Sequence, residues 1–334
     1  MVSFLEDQEF YKRCAESDRR AMLAPFNLPA YLATQICTDM NGYFGCRSSY
    51  GIDNKLCDLS IWFRCLTKTV SKAEEEVGPE GKNYHWHEMG FFVRWCHTGI
   101  CRVLSVGTPP LLRLRLEIVL RDASAVELRD PFSMIVPLLD QLITQYDESA
   151  WQVRDQVRGI EMSRGTRKSN FVTMHDIARH TGHLVEVSAA TVETMNCLVR
   201  RQERIYAELS SLDRTYKEQA HEYLSFQLQM MKSLQRRALS IQERINAEIS
   251  LGYNIIATQD SMVTRSIGLL TMVFLPATFV SALFSTTFFS FAEETWKISK
   301  KFWIYWAVAV PSTLVVLIVW WLTLRRASAR NRWR

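Results

Sequence analysis

Residues 273–291 read VFLPATFVSALFSTTFFSF, a run apolar enough for lipid yet seeded with Thr278, Ser281, Ser285, Thr286, Thr287 and Ser290. No charged side chain occurs from Ser266 to Ala292, and a second uncharged run, FWIYWAVAVPSTLVVLIVWWLTL, extends from Phe302 to Leu324. Each exceeds the roughly 20 residues that an α-helix needs to cross about 30 Å of hydrocarbon, so both are read as transmembrane helices. Buried core helices are the competing reading. Separation by only EETWKISKK favours a membrane hairpin spanning 265–291 and 302–324, joined by an external loop at 292–301.

Basic residues set the expected orientation. The tail at 325–334, RRASARNRWR, carries five arginines, which hold that end in the cytoplasm. Two crossings return the N-terminal part to the same side, giving a two-pass integral membrane protein with both termini cytoplasmic. The start, MVSFLEDQEFYKRCAESDRR, lacks an apolar core and is too acidic for a transit peptide, so no cleaved targeting segment is expected. Seven of the eight cysteines lie in the first 101 residues, and in a cytosolic setting they are expected as free thiols. The formal charge of +5 is modest, and the arginine tail accounts for it. Anionic lipid headgroups are therefore the expected counter-charge, and no nucleic-acid partner is expected.

Prolines divide the chain. Seven of nine fall at or before Pro137 and none recurs until Pro276, which leaves a long interval for helices. In the first part, FFVRWC and ICRVLSVG are joined through HTG as a hairpin, and LLRLRLEIVL alternates with period two like a strand. APFNLPAYLATQICTDM and DPFSMIVPLLDQLITQY read as short helices, the latter with Asp130 as N-cap and Pro131 at the first helical position. The expected class is an α+β membrane protein, with a cytosolic α/β module at 1–145 and a helical region at 146–264. The latter ends in a long stalk helix that continues into the first span. From Leu224, the positions Leu228, Met231, Leu234, Ala238, Ile241, Ile245 and Ile249 follow at helical spacing, so the stalk buries one face. With no break expected from Ile205 to Pro276 except at Gly252 and Gly268, a helix of about 80 residues would be roughly 120 Å long and would require packing against its own copies.

Down that helix, Ser261, Thr264, Gly268, Thr271, Leu275, Thr278, Ala282 and Ser285 follow at spacings of 3 and 4. This is a seam of small or hydroxylated side chains interrupted by Leu275. One reading is close helix packing, with hydroxyls bonding their own backbone carbonyls. The other is a symmetric oligomer whose seam surrounds an aqueous path throttled at Leu275.

FLPATF at 274–279 resembles the hallmark of the first transmembrane helix in the CorA family of divalent-cation transporters. WQVRDQVRGIE at 151–161 and MHDIARHTGHLVEVSAATVETM at 174–195 resemble the fungal CorA-like branch. The resemblance is closest over 265–325 and weakens toward the N-terminus. It implies a homopentameric channel for Mg²⁺ or a related cation, with the first transmembrane helix lining the pore. Thr264, Gly268, Thr271, Thr278 and Ala282 would then face the pore and Leu275 would form an apolar constriction. The family's Gly-Met-Asn signature falls on Ser285, Thr286 and Thr287, so the selectivity motif is replaced by Ser-Thr-Thr. Glu293 and Glu294 stand near where the family places acidic loop residues that gather cations.

HWHEMGFFVRWCHTGIC supplies His85, His87, Glu88, Cys96, His97 and Cys101, chemically adequate for zinc but matching no standard spacing. Packing is the preferred reading, with His85 and His87 on one strand face. His180 and His183 lie one helical turn apart, with His175 off their face, and read as part of a polar, partner-facing helix. No phosphate-binding glycine loop, nucleophile elbow or His-Glu-x-x-His pair occurs, so neither an enzymatic activity nor a resident cofactor is expected, Mg²⁺ being cargo or regulator. The expected function is divalent-cation transport by a homo-oligomer in lipid. The alternative is a non-conducting, membrane-anchored interaction or regulatory protein.

Overall fold

The computed structural model describes residues 2–6, 10, 13–70, 84–121, 127–164, 171–285, 289–292 and 295–330. The chain divides into two compact units, Met1–Ser250 and Leu251–Arg334.

The first unit is built on a five-stranded sheet, β1 (Val2–Leu5), β2 (Gly42–Tyr50), β3 (Leu56–Val70), β4 (Tyr84–Cys96) and β5 (Ile100–Val106), in the order β1-β5-β4-β3-β2. Only β1 and β5 pair in parallel; the other pairs are antiparallel. The β4–β5 hairpin turns at His97–Gly99, where Gly99 takes φ +80°, a conformation that side chains disfavour. Alternation across the pleat separates two apolar faces. Phe91, Val93 and Val103 join one core, while Phe92, Leu104 and Val106 join the other. The second face is covered by α1 (Glu16–Leu23) and the short turns after it, through Leu23, Phe26 and Leu32; α2 (Gln35–Asp39) adds Cys37.

The first face is covered by helices. α3 (Pro110–Arg121) contributes Leu112 and Leu116, α4 (Val136–Met162) Leu138, Leu142 and Tyr146, and α5 (Phe171–Glu208) Val187, Met195 and Leu198. α6 (Arg214–Ser285) supplies Leu224, Leu228, Met231 and Leu234 to this core, and Ala238, Ile241 and Ile245 to a cluster with Val153, Val157 and Ile177. These seven residues of α6 are buried as the helical spacing requires, and Ile249 packs at the edge of the same cluster.

Three expectations are corrected here. LLRLRLEIVL is a helix, not a strand: Leu112 and Leu116 are buried four residues apart, while Leu111, Leu114 and Ile118 are exposed. The alternating leucines occupy both sides of a helix that opens on Pro110. Asp130 and Pro131 do not start α4, which begins at Val136 with Pro137 in its first turn. Asp130 instead caps a preceding turn through Phe132 N–H at 2.9 Å and accepts the Tyr206 and Tyr216 hydroxyls at 2.8 and 3.0 Å. Burial pushes its carboxyl up, against those hydrogen bonds. Finally, the helical run is broken at 209–213, where Asp213 caps α6 by accepting from Thr215 N–H at 2.9 Å.

In the second unit, α6 ends at Ser285 rather than at residue 291, and a two-stranded hairpin begins within the last residues of the expected span and continues into the expected loop. Its strands are β6 (Phe289–Ala292) and β7 (Thr295–Ile298). α7 (Trp303–Arg330) returns antiparallel to α6. Arg265 lies over the Trp320 ring at 6.0 Å and the Tyr305 hydroxyl approaches the Ala277 carbonyl at 3.5 Å, so rising numbers on one helix meet falling numbers on the other. Val280 and Ala309 are buried within this unit.

Candidate functional site: a hydroxyl seam on an apolar helix

Thr264, Gly268, Thr271, Leu275, Thr278, Ala282 and Ser285 all lie on α6. At about 100° per residue they share one stripe. Of the less exposed positions of the same stretch, Val273, Pro276, Ala277 and Val280 fall nearly opposite, on the side toward which Tyr305 reaches, and Met272 lies to one flank. Every member of the seam but Gly268 is exposed, Leu275 at 63%.

The hydroxyls spend their protons on their own helix. Thr271 donates to the Ile267 carbonyl at 2.9 Å, Thr278 to the Phe274 and Leu275 carbonyls at 2.9 Å, and Ser285 to the Ala282 carbonyl at 3.3 Å. What remains outward is oxygen lone pairs, so the stripe accepts hydrogen bonds and carries no fixed charge. The backbone bonding expected of a packing stripe is therefore present, and it leaves the same atoms able to meet water. Thr286, Thr287, Glu293 and Glu294 lie outside the described residues.

Both apolar segments expose most of their surface, as a lipid-facing hairpin does. On α7, Trp303 and Trp306 near one end and Trp321 near the other are exposed, and the 18-residue interval from Trp303 to Trp321 is about 27 Å of helix. That matches roughly 30 Å of hydrocarbon bounded by interfacial aromatics. The chain is a two-pass integral membrane protein.

The histidine and cysteine candidates of the first unit do not assemble a metal centre. His85 and His87 do share a face, ring centroids 4.7 Å apart. Glu88 is turned to the Arg64 guanidinium at 2.7 Å, the Cys96 thiol lies 3.6 Å from Asp58, and His97 approaches the Cys57 carbonyl. Burial pushes the Cys101 thiol up to about 11. Among the described residues no three His, Cys, Asp or Glu side chains come together, and all eight cysteines are free.

The α5 histidines are corrected as well. His180 is buried edge-on to Tyr84, and His183 Nδ1 lies 3.0 Å from Lys68 Nζ beside Trp86. They face the sheet rather than a partner; only His175 is exposed. Burial pushes Lys68 down to about 8, with Arg179 adding to the effect. The amine sits over the Tyr84 and Trp86 rings at 3.9 and 4.8 Å, where their π-faces partly replace its water. Composition gave no signal for this buried lysine.

Comparison with known proteins follows the same architecture. The full-length CmaX structure superposes with a TM-score of 0.60 at 15% identity, covering 92% of this chain and 85% of that one. The CorA magnesium transporter of Methanocaldococcus jannaschii gives 0.55 at 8% identity, covering 95% and 88%. At such identities these likenesses establish the fold. A curated relative, the Notoamide biosynthesis cluster protein M' of Aspergillus versicolor, is 31% identical over a 296-residue alignment that covers 77% of this chain but only 62% of that protein. The family model for the CorA-like Mg²⁺ transporter protein matches residues 102–326. The chain therefore belongs to the CorA-like Mg²⁺ transporter family.

Proposed function

We propose that this chain forms a homo-oligomer, a pentamer by analogy with its family, in which the α6 seam surrounds a central path for Mg²⁺ or a related divalent cation. The observation that carries this reading is the exposed stripe of back-bonded hydroxyls opposite the side of α6 turned to α7. Water around a divalent cation points its hydrogens outward, so a wall of acceptors suits a hydrated cation and mismatches a hydrated anion. Mg²⁺ dehydrates reluctantly and is well served by ligands that hold its waters. A neutral wall also avoids placing an ionised side chain in low dielectric, where it is costly. Leu275, interrupting the hydroxyls, forms the apolar constriction.

In this reading Ser285, Thr286 and Thr287 form the outer mouth, Glu293 and Glu294 gather cations beside it, and both termini are cytoplasmic. Five copies of Ser-Thr-Thr attract a cation less strongly than amide carbonyls would, so discrimination among divalent ions is weak. The reading is transport rather than catalysis. The curated relative's name places that protein in a biosynthesis cluster and states no reaction.

One observation favours a second reading: the replacement of Gly-Met-Asn by Ser-Thr-Thr is what a non-conducting, membrane-anchored descendant would also tolerate. Proteoliposomes containing the purified chain separate the two. Uptake of Mg²⁺, Co²⁺, Ni²⁺ or Zn²⁺ down a gradient, with preference for Mg²⁺ sharpened by restoring Gly-Met-Asn at 285–287, supports the channel. No uptake of any of the four supports the anchor.

A further inference from the structure

We propose that the first unit carries a binding site for a phosphate monoester, in a cavity of 480 Å³ at the end of the sheet where β1 and β5 finish and β4 begins. β1 and β5 are the parallel pair, and their last partners are Leu5 and Val106. Both strands thus deliver their carboxyl ends to the same place, with Glu6 following one and Gly107 the other. Gly107 takes φ +69° and donates its N–H to the Leu5 carbonyl at 2.9 Å, which ties the two ends together. Thr108 and Pro109 then lead directly into α3.

Three nitrogen-bearing side chains converge on this cavity. His85 and His87 come from β4, their rings in contact and the His87 Nε2 3.3 Å from the Thr69 hydroxyl, and Arg113 comes from the first turn of α3. Arg113 is held side-on: its guanidinium lies 4.8 Å over the Phe4 ring, and its Nε donates to Glu117 at 2.8 Å. That geometry leaves the two terminal nitrogens to serve an oxyanion, the planar fork that phosphate suits. The α3 terminus borders the same cavity through Pro109, Pro110 and Arg113. Arg113 N–H is the first to close a helical bond, onto Pro109 O at 2.9 Å, so the amides of Leu111 and Leu112 precede the hydrogen-bonded ladder.

The cavity also indicates what the phosphate is attached to. Its volume far exceeds that of a bare oxyanion and falls in the range of small organic ligands. Phe4, Leu5, Pro109 and Pro110 give it apolar wall, and the Glu6 carboxylate offers an acceptor for the hydroxyls of a sugar. A metal ion is the lesser occupant, because two imidazoles here find no third ligand among the described residues.

Isothermal titration of the full-length chain in detergent, with AMP, glucose 6-phosphate, inorganic phosphate and Zn²⁺ as separate titrants, tests it. We expect one site per chain for AMP, glucose 6-phosphate or both, at least tenfold tighter than inorganic phosphate; which of the two binds separates a nucleotide from a sugar phosphate. Arg113→Gln should weaken that binding at least tenfold without moving the unliganded melting temperature. His87→Gln should weaken it in the same direction, while Lys55→Gln, on an exposed turn outside the cavity, should retain it. Absence of binding by both monoesters at millimolar concentration would overturn the proposal. So would unchanged affinity in both the Arg113 and His87 variants, or binding of Zn²⁺ alone that is lost in His85→Ala.

Discussion

Acid should loosen the contact between α5 and the sheet, and His180 sets how much. Its ring is 2% exposed, with centroid 5.3 Å from that of Tyr84, and its Nδ1 has no hydrogen-bond partner among the described residues. Burial is the main force pushing the imidazole from 6.5 down to about 4. Lys68, Arg179 and His183 push the same way, and Asp176 opposes them. A base whose folded value is depressed stays neutral in the folded chain while the unfolded chain takes up its proton first. The stability is therefore complete above about pH 6.5 and is lost as pH falls toward 4. At about 1.4 kcal/mol per pH unit the full loss is about 3 kcal/mol, of which about 1 kcal/mol falls between pH 6 and pH 5. For a unit of this size that is a drop of roughly 2–4 °C in melting temperature over that one pH unit. The assay compares thermal unfolding of the wild-type chain and His180→Leu in detergent at pH 7.5, 6 and 5. Other acid-labile pairs, such as Glu161 with Arg244 at 2.6 Å, are common to both proteins and cancel. The wild type should lose about 1 kcal/mol more than the variant between pH 6 and 5. Equal pH slopes in the two proteins would refute the reasoning.

Two further outcomes follow from named contacts. Asp130→Ala leaves the buried Tyr206 hydroxyl and the half-buried Tyr216 hydroxyl without their acceptor and should cost about 2–4 kcal/mol, read as a lower denaturant midpoint, while Lys55→Ala on an exposed turn should leave the midpoint within error. Thr278→Val, nearly isosteric, should lower cation flux in proteoliposomes without changing oligomer mass by mass photometry; unchanged flux would show that the hydroxyl only packs.

Much of this architecture was legible because a period or a turn residue announced it. The buried positions of α6 were visible as a 3-and-4 spacing, and the β4–β5 turn as His-Thr-Gly. What stayed hidden depended on facing partners. Leu-Arg-Leu-Arg alternates in sequence whether it forms a strand or a helix, and only the burial of Leu112 with Leu116 decides. The break at 209–213 contains neither proline nor glycine, so it is marked only by the capping of Asp213. His180 and His183 looked like a polar face because their partners, Tyr84, Trp86 and Lys68, are distant in sequence. Of the candidate site, the seam was legible; the spent protons of its hydroxyls, which make it an acceptor surface, required coordinates. The phosphate cavity was invisible because it joins the ends of β1 and β5 to residues of β4 and α3 that no motif links.

The central claim, that the hydroxyl seam faces a water-filled cation path, is tested most directly by the thiol introduced by Thr287→Cys in transport-competent proteoliposomes. A membrane-impermeant thiol reagent applied to the face opposite the termini should label that position and block Mg²⁺ uptake. Undiminished uptake by a Thr287→Cys protein that resists labelling from that face would contradict it.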